Sequence, residues 1–458
     1  MALIHKFITD NERYVLDVNS GSVHIVDDLV YEMLDPDQLA GMDELVKRLK
    51  DVYPVADIEQ AYGEILELKK EEMLYSDDLY EDIARSDEGP DYVKALCLNV
   101  IHDCNLRCKY CFADEGEYHG ERQIMPVEIG KQAIDFVIEA SGPRRNIEID
   151  LFGGEPLMAF NNIKEIVDYA RLREVEAGKN IRFTMTTNAT LLNDENMAYL
   201  DKNMGNMVLS LDGRPSVNDK VRIRFDGKGS FNQVMPKIKS MVERRDPTKQ
   251  YYVRGTFTRE NLDFYEDYKF FKDEGFDEIS IEPVVLPDEH PLSLRSEDIP
   301  KIKEQYDLLY KDLLESHRKG EEVKFYHFNI DLSGGPCVYK RISGCGAGFE
   351  YVAVAPTGDI YPCHQFVGNP DYVMGNLKDG IKREDLVDQF RQAHIYNKPV
   401  CRDCWARFYC SGGCQANNIN FTGDINQPYE LGCELQKKRI ESAIALKSKI
   451  MEEEQVDN

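Results

Sequence analysis

The stretch CNLRCKYCF, residues 104–112, places three cysteines, Cys104, Cys108 and Cys111, within eight positions. Three thiolates are one short of a tetrahedral metal site, and one short of the four that a four-iron, four-sulfur cluster takes. A metal with an open coordination position can bind and activate a substrate, whereas a closed site is structural. The stretch therefore predicts a metal centre whose last position is filled by a substrate molecule or by a ligand from elsewhere in the chain.

The composition is that of a folded protein with an acidic surface. The chain has 458 residues, of which 42% are hydrophobic, and a net charge of -27. Binding to nucleic acid needs a basic face that meets phosphate, so we predict no nucleic-acid partner. Because no signal-peptide pattern and no apolar run of membrane-spanning length is present, we predict no membrane partner and a cytoplasmic location.

The chain has twelve cysteines, and all except Cys97 fall in two blocks, at 104–111 and 337–433. Disulfides are rare in the cytoplasm, so clustered cysteines there indicate metal ligands or redox groups. The pair Cys401-x2-Cys404 is also typical of zinc sites, so a zinc site stays open at this point.

Residues 1–85 are predicted to form a separate module. Residues 13–28 alternate apolar and polar side chains around Asn-Ser-Gly, which predicts a β-hairpin. Three segments with helical spacing follow, at 29–34, 42–53 and 58–76. The acidic stretch 77–91 is predicted to be a linker.

Residues 92–320 alternate strand and helix patterns. Strand-like apolar runs lie at 94–101, 146–152, 181–187, 206–212, 251–257 and 277–284. Helical candidates lie between them at 127–140, 160–178 and 234–245. This alternation predicts an α/β fold with a parallel sheet, open or closed as a barrel. Short polar motifs follow the strands, at the carboxyl ends where such folds place their chemistry.

Residues 321–458 are rich in cysteine and glycine and are predicted to end in an amphipathic helix at 434–454. The stretches 334–366 and 401–418 have too little continuous apolar pattern for a conventional core. We therefore expect bound metal to replace that core.

The motif Cys-x3-Cys-x2-Cys after the first strand, followed by the aromatic Phe112, resembles the cluster motif of radical S-adenosylmethionine (SAM) enzymes. The resemblance implies a partial (βα)6 barrel. In it, Cys104, Cys108 and Cys111 hold a [4Fe–4S] cluster, and SAM chelates the open iron. One-electron reduction then cleaves SAM to a 5′-deoxyadenosyl radical that abstracts hydrogen.

Further motifs of that family follow in order. Gly153-Gly154-Glu155-Pro156 resembles the element that binds the methionine amino group, whose N–H donors a carboxylate can accept. Its two glycines permit close backbone approach. The family's polar and basic positions near the methionine carboxylate and ribose are matched by Thr187, Asn188, Ser210, Asp212 and Arg222. An Asp-Gly pair after a strand is also a common turn, so both roles stay open for Asp212.

Four further residues flank these motifs. By the same resemblance, Glu282 after the sixth strand borders adenine. His102, His119 and His364 have no identifiable partner in the sequence. Each is therefore predicted to be a local hydrogen-bonding residue rather than a ligand or proton carrier.

The later cysteines resemble the seven-cysteine SPASM extension of radical SAM peptide-modifying enzymes, which binds two auxiliary [4Fe–4S] clusters. The resemblance assigns Cys345, Cys363 and Cys414 to the first auxiliary cluster, and Cys401, Cys404, Cys410 and Cys433 to the second. Cys337 either completes the first cluster or leaves it an open iron that could bind a substrate thiolate. The implied cofactors are three [4Fe–4S] clusters and SAM, and an implied partner is a small electron donor such as flavodoxin or ferredoxin.

The module at 1–85 resembles the winged-helix-like domain, similar to the pyrroloquinoline-quinone chaperone, that binds leader peptides as an added strand. An ordinary helical cap is the alternative. Together the three segments resemble the maturases of six-cysteine (SCIFF) peptides. The implied function is to form intramolecular thioethers of the sactipeptide or ranthipeptide type in a leader-bearing, cysteine-rich precursor peptide. Each thioether joins a cysteine to an acceptor that is typically threonine. The alternatives are a sulfatase-type maturase that forms formylglycine, and a non-enzymatic iron–sulfur electron carrier or zinc scaffold.

Overall fold

The computed structural model describes residues 3–85, 92–332 and 338–456. Spatial contacts group the chain into two compact units. The first unit comprises 1–89, 299–344 and 393–458, and the second comprises 90–298 and 345–392. This grouping does not test the division into 1–85, 92–320 and 321–458, which stays a prediction. Among the described residues, no helix has both the length and the apolar character needed to cross a bilayer.

The first unit begins with a three-stranded antiparallel sheet and four helices. The strands, which are also adjacent in this order, are β1 (Ile4–Thr9), β2 (Glu12–Asp17) and β3 (Val23–Val26). The helices are α1 (Asp28–Met33), α2 (Met42–Leu49), α3 (Val55–Lys70) and α4 (Glu81–Arg85). The predicted hairpin is confirmed as β2 and β3, and the predicted helices as α1 to α3. Strand β1 is missing from the prediction because His5 and Lys6 interrupt its apolar alternation.

The segment 77–85 packs into this unit, so the prediction of a linker over 77–91 is wrong there. Residues 86–91 lie outside the described residues. Asp78 accepts a hydrogen bond from the Tyr396 hydroxyl at 2.8 Å. Glu81 likewise pairs with Arg402 of the same unit at 2.9 Å.

The second unit contains the main sheet. From 92 to 298 its strands are β4 (Ala95–His102), β5 (Leu106–Cys108), β6 (Gln123–Ile124), β7 (Asn146–Gly153), β8 (Asn180–Thr187), β9 (Met204–Ser210), β10 (Arg222–Arg224), β11 (Gln250–Phe257) and β12 (Glu278–Pro283). Its helices there are α5 (Val127–Ala140), α6 (Phe160–Ala177), α7 (Asp194–Asn203), α8 (Pro215–Val221), α9 (Phe231–Arg244) and α10 (Phe264–Asp273). The six predicted strands are confirmed as β4, β7, β8, β9, β11 and β12.

The rest of the chain alternates between the two units. The first unit adds α11 (Ile299–Arg318), β13 (Lys324–Phe325) and α12 (Val338–Ser343). The second unit adds β14 (Tyr351–Val354), β15 (Asp359–Tyr361), β16 (Gly375–Asn376), β17 (Gly380–Ile381) and α13 (Glu384–Gln392). The first unit ends with α14 (Pro399–Arg402), α15 (Arg407–Cys410), α16 (Gln415–Thr422) and α17 (Glu430–Val456).

Within the second unit the strands lie in the order β12-β11-β9-β8-β7-β4-β14-β15-β16-β17. Pairing is parallel from β12 through β14, which adds to the free side of β4. Val352 and Val354 of β14 are fully buried. The expectation that metal replaces the core is therefore wrong for this strand, because a short β-branched run suffices to extend an existing sheet.

The two faces of this sheet differ in chemistry. One face is apolar and almost fully buried, with Leu98, Leu151 and Phe183, and the helices α5 and α6 contact its strands. Successive side chains of a strand point to opposite faces. The opposite face, called the inner face below, therefore carries a polar row that includes Cys97 and, in register with it, Asp150 and then Thr184.

Candidate active site

The cysteine loop, residues 104–111, follows β4 and is held by backbone pairing. Strand β5 pairs antiparallel with β10, which places Cys108 opposite Arg222. The backbone N–H of Lys109 donates to the carbonyl of Val221 at 3.0 Å, and that of Cys111 donates to the carbonyl of Cys108 at 3.1 Å. The loop is thus fixed at the carboxyl end of the first parallel strand, where the motif predicts it.

The two glycines of GGEP let the end of β7 lie against the start of this loop. The N–H of Gly154 donates to the carbonyl of Ile101 at 3.0 Å. A Cβ on Gly154 would lie 2.0 Å from the carbonyl oxygen of Asp103, and one on Gly153 would lie 2.3 Å from that of Ile101. Gly153 also has a φ of 134°, which L side chains rarely adopt. The close approach expected of these glycines is therefore made to the backbone that leads into Cys104.

Glu155 is fully buried, and hydrogen bonds satisfy most of its carboxylate. One oxygen accepts from the Thr187 hydroxyl at 2.7 Å and from the N–H of Leu157 at 3.0 Å, and the other accepts from the N–H of Asn188 at 2.7 Å. Burial raises the pKa of Glu155, and these hydrogen bonds oppose that shift. A carboxylate accepts about four hydrogen bonds, so one position is left for a further donor.

Asn188 connects Glu155 to the cysteine loop. Its side-chain amide donates to Asn105 at 2.9 Å and lies 3.7 Å from the sulfur of Cys104, which the N–H of Leu106 approaches at 3.5 Å. Burial raises the pKa of the Cys104 thiol to about 12. N–H donors around a buried sulfur are the surroundings that tune iron–sulfur centres, and a bound metal would stabilise the thiolate. The loop therefore fits a cluster.

Asp212 and Arg222 meet at Tyr110, a residue that the sequence reasoning missed. The Tyr110 hydroxyl donates to Asp212 at 2.6 Å and accepts from Arg222 at 2.8 Å. The N–H of Thr256 donates to the other Asp212 oxygen at 3.1 Å. Asp212 and Arg222, both buried, thus hold the cysteine loop through Tyr110. The available signal was an aromatic residue between the last two cysteines.

Arg254 is a second residue that the sequence reasoning missed. Ser210, at the end of β9, is half-buried and lies in register with Arg254 of β11. The Arg254 guanidinium donates to the Glu282 carboxylate of β12 at 3.0 Å. A charged residue inside the otherwise apolar run YYVRGTF was the signal for Arg254.

His364 belongs to an aromatic group beside the cysteine loop. Its ring centroid lies 5.6 Å from that of Phe112 and 5.2 Å from that of Phe152. Its Nδ1 lies 3.1 Å from the Tyr351 hydroxyl. Burial lowers the pKa of His364 to about 4, so its ring is neutral at pH 7. His364 thus makes a local hydrogen bond, as predicted.

Several buried polar atoms of this unit have no hydrogen-bond partner within the described part of the chain. They are Asn99 Oδ1, His102 Nε2, the Tyr118 hydroxyl, Asn206 Oδ1 and Arg259 Nη1. His102 instead stacks on Tyr118, with ring centroids 4.6 Å apart, while the exposed His119 lies 3.7 Å from Asp114. Since buried polar atoms are nearly always paired, such atoms mark places suited to a polar ligand or water. Asn99 and His102 lie on β4, which leads into the cysteine loop, so this end of the strand suits a polar ligand such as SAM.

Four cysteines of the first unit lie within electrostatic range of one another: Cys401, Cys404, Cys410 and Cys433. Burial, followed by the neighbouring thiols, raises the pKa of Cys433 to about 11. Across residues 3–85, 92–332 and 338–456, no three Cys, His, Asp or Glu side chains are arranged to hold a single metal ion. Four neighbouring thiols are the number that a [4Fe–4S] cluster takes.

The cysteines assigned to the first auxiliary cluster are divided. Cys345 and Cys363 lie in the second unit, and Cys414 lies in the first. Cys337 lies outside the described residues. Their assignment to one cluster stays a prediction.

Two segments match known protein families. Residues 98–291 match the radical SAM superfamily, and residues 345–405 match the SPASM iron–sulfur cluster-binding domain. The chain therefore has the radical SAM α/β fold with a C-terminal SPASM domain, as the two cysteine patterns predict. These domains imply SAM and [4Fe–4S] clusters as cofactors.

Individual proteins resemble most of the chain at low identity. The cysteine-type anaerobic sulfatase-maturating enzyme of Clostridium novyi is 26% identical over 364 residues, which cover 75% of this chain and 93% of that protein. The structure of native anSMEcpe with bound AdoMet is 20% identical and aligns with a TM-score of 0.64, and the alignment covers 78% of this chain and 99% of the anSMEcpe chain. The structure of Streptococcus suis SuiB bound to precursor peptide SuiA is 16% identical and aligns with a TM-score of 0.53, and the alignment covers 93% of this chain and 97% of the SuiB chain. The structural likenesses concern the fold.

Proposed function

We propose that the protein is a radical SAM maturase that forms intramolecular thioethers, from cysteine sulfur to an acceptor such as threonine, in a cysteine-rich precursor peptide. When bound, SAM and a reduced cluster supply a radical that abstracts hydrogen. The observation that carries the proposal is the N-terminal sheet module joined to a radical SAM core and a SPASM domain. The precursor-bound SuiB structure covers 93% of this chain, whereas the anSMEcpe structure leaves about a fifth uncovered. That uncovered share is close in size to residues 1–85.

The module provides a groove suited to a leader peptide. Within the described residues, β3 pairs only with β2, so its other edge can accept an added strand. A groove of about 580 Å³ lies beside it, and its lining includes Val26, Asp27, Asp28, Tyr53, Asp57, Gln60 and Glu64. Five of its thirteen lining residues are acidic and Arg13 is the one basic residue among them, which favours a leader with basic residues.

The site residues would divide the work of holding SAM. Cys104, Cys108 and Cys111 would hold the cluster, and the remaining acceptor position of Glu155 would take an N–H of the methionine amino group. Thr187 acts through Glu155, since its hydroxyl donates to that carboxylate at 2.7 Å.

Other residues would contact SAM or fix the loop around it. Asn188 would orient the sulfur of Cys104, and Ser210 would face the ribose. Asp212 and Arg222 would fix the cysteine loop through Tyr110. Gly153, Gly154 and Pro156 would shape the turn that carries Glu155.

Three [4Fe–4S] clusters are part of this proposal. Cys345, Cys363 and Cys414 would hold the first auxiliary cluster, with Cys337 as the candidate fourth ligand. Cys401, Cys404, Cys410 and Cys433 would hold the second. Reconstituted protein should then contain about twelve irons per chain. A content of about four irons per chain would show that neither auxiliary cluster is bound. A flavodoxin or ferredoxin as electron donor, and a cytoplasmic location, belong to the same proposal.

The direct test uses anaerobically reconstituted full-length enzyme, SAM, a reductant and a leader-bearing, cysteine-rich peptide. Mass spectrometry should show the loss of two hydrogens for each crosslink, and fragmentation should link a cysteine to its acceptor. The same peptide without its leader is the control and should react far more slowly. Continued SAM cleavage with an unchanged peptide mass would contradict the proposal.

A sulfatase-type maturase is the second candidate, favoured by the similarity to the Clostridium novyi enzyme. Deleting residues 1–85 is a poor test, because Trp405 stacks on His5 within the first unit with ring centroids 3.7 Å apart. A leaderless sulfatase-derived peptide is a better probe. Its conversion to formylglycine at a rate that matches or exceeds crosslinking would favour this candidate.

A further inference from the structure

Asp150 stands out on the inner face because it makes no hydrogen bond with any described residue. Its side chain is half-buried, and it lies in register with Cys97 of β4 on one side and Thr184 of β8 on the other. Burial, with a smaller contribution from Glu148, raises the pKa of this carboxyl to about 6. At pH 7 the group is therefore mostly ionised, and both of its oxygens are open to a donor.

The other carboxylates of the site are already engaged. Glu155 accepts three hydrogen bonds, Asp212 accepts from Tyr110, and Glu282 accepts from Arg254. Glu148, two residues before Asp150 on the same face, is exposed and lies 3.9 Å from Arg182. Asp150 thus differs from its neighbours in holding an unengaged carboxylate in a partly desolvated place.

The position of Asp150 connects it to the cysteine loop. It precedes Gly153 by three residues, about 10 Å along the strand at the usual rise per residue. Phe152 lies between them on the same face, and its ring centroid is 6.5 Å from that of Phe112 at the end of the loop. Asp150 thus lies next to Phe152 on the face of the strand that Phe112 approaches.

We propose that Asp150 is the general base that removes the thiol proton of the substrate cysteine. The proposal rests on the proposed crosslinking function and names a residue for one of its steps. The S–H bond breaks, an O–H bond forms on Asp150, and the negative charge passes from the carboxylate to the sulfur. This step is a proton transfer alone, so it needs no oxidant or reductant. A base with a pKa near the working pH is well matched to such a transfer.

The test compares three variants of the full-length reconstituted enzyme: Asp150→Asn, Asp150→Glu and Glu148→Gln. The substrate is a leader-bearing, cysteine-rich peptide whose threonines are deuterated. Deuterium in 5′-deoxyadenosine reports hydrogen abstraction, and peptide mass reports crosslinking. Asp150→Asn should keep deuterium transfer within about twofold of wild type while crosslinking falls at least about 100-fold, the usual effect of losing a general base. Asp150→Glu should recover part of the crosslinking. Glu148→Gln removes only the smaller charge effect on Asp150 and should stay within about threefold of wild type.

Two outcomes would overturn the assignment. Crosslinking by Asp150→Asn within about threefold of wild type would exclude a base at this position. Loss of deuterium transfer in parallel with crosslinking would show a structural role. Failure of the proposed function gives a different result, since the wild type itself would then leave the peptide mass unchanged, and the assignment would fall with it.

Discussion

His5 of β1 and Trp405 of the cysteine-rich segment stack with ring centroids 3.7 Å apart and planes 2° from parallel. Arg407, two residues further along, is fully buried, donates to Asn19 and lies 3.4 Å from Asp78. The N-terminal sheet and the segment that carries Cys401, Cys404 and Cys410 therefore share one packed interior. The leader-recognition module proposed here is built into the first unit rather than attached to it.

The first prediction concerns the buried Arg407–Asp78 pair. A double-mutant cycle with Arg407→Ala and Asp78→Ala should give a coupling free energy of about 1–3 kcal/mol, because the pair is desolvated. The matched control is Arg402 and Glu81, an exposed pair 2.9 Å apart in the same unit, which should couple by less than about 1 kcal/mol. Anaerobic denaturant unfolding measures both cycles, and equal couplings would count against the packing argument.

The second prediction concerns Tyr110. Tyr110→Phe removes the donor to Asp212 and the acceptor for Arg222, leaving two buried charged groups about 3.7 Å apart with fewer hydrogen bonds. The free energy of unfolding should fall by about 1–3 kcal/mol, and iron should be lost faster to a chelator. Tyr169→Phe is the control, since its hydroxyl donates to the partly exposed Asp135 at 2.8 Å. Equal effects of the two variants would show that burial at Tyr110 is unimportant.

The strands were predictable, and the contacts at their ends were not. Alternating apolar runs gave β4, β7 and β8 to within about two residues, because period and burial are local properties of a sequence. The hydrogen bond from Tyr110 to Asp212 joins residues 102 positions apart, and no local pattern encodes such a pairing. For the same reason the cysteine motifs predicted the cluster ligands without the groups that hold their loop.

The sequence also failed to predict which segments pack against parts of the chain that are distant in sequence. The composition of 77–91 indicated a linker, since acidic stretches are usually solvated. The structure instead gives Asp78 buried partners more than 300 positions away. Strand β14 was missed because a four-residue apolar run forms a strand only where another strand edge is offered.

The third prediction concerns the close approach at Gly154. Gly154→Ala would put a methyl group 2.0 Å from the Asp103 carbonyl oxygen, so the backbone before Cys104 must move. We expect a loss of at least about 2 kcal/mol in stability and a lower iron content after reconstitution. Gly120→Ala is the control near the same loop, because its Cβ would meet nothing closer than 3.7 Å. Full iron loading of Gly154→Ala would contradict the expectation.

The fourth prediction concerns the charge of the groove beside β3. Replacing both Asp57 and Glu64 with lysine should weaken leader-peptide binding at least about tenfold, because it reverses two of the five acidic charges in the lining. Binding to wild type should also weaken with added salt. Glu67→Lys, on the same helix but outside the groove lining, should bind as wild type. Fluorescence anisotropy of a labelled leader peptide measures the affinity. Equal losses of affinity in all variants would mean that the overall charge of the protein, rather than the groove, causes the effect.

The fifth prediction concerns pH and His394. Burial lowers the pKa of His394 below its usual 6.5, with Arg85 and Lys398 adding to the shift, and its Nδ1 has no partner among the described residues. The unfolded chain therefore binds this proton at a higher pH than the folded chain does. Stability is full above about pH 6.5 and falls as pH is lowered, by up to about 1.4 kcal/mol per pH unit.

Replacing His394 with glutamine should remove this contribution, so the variant should lose less stability than wild type between about pH 6.5 and 5. His317→Gln, a partly exposed histidine on α11, is the control and should keep the wild-type slope. Denaturant unfolding across this pH range measures the difference. A wild-type slope in His394→Gln would mean that other groups carry the acid sensitivity.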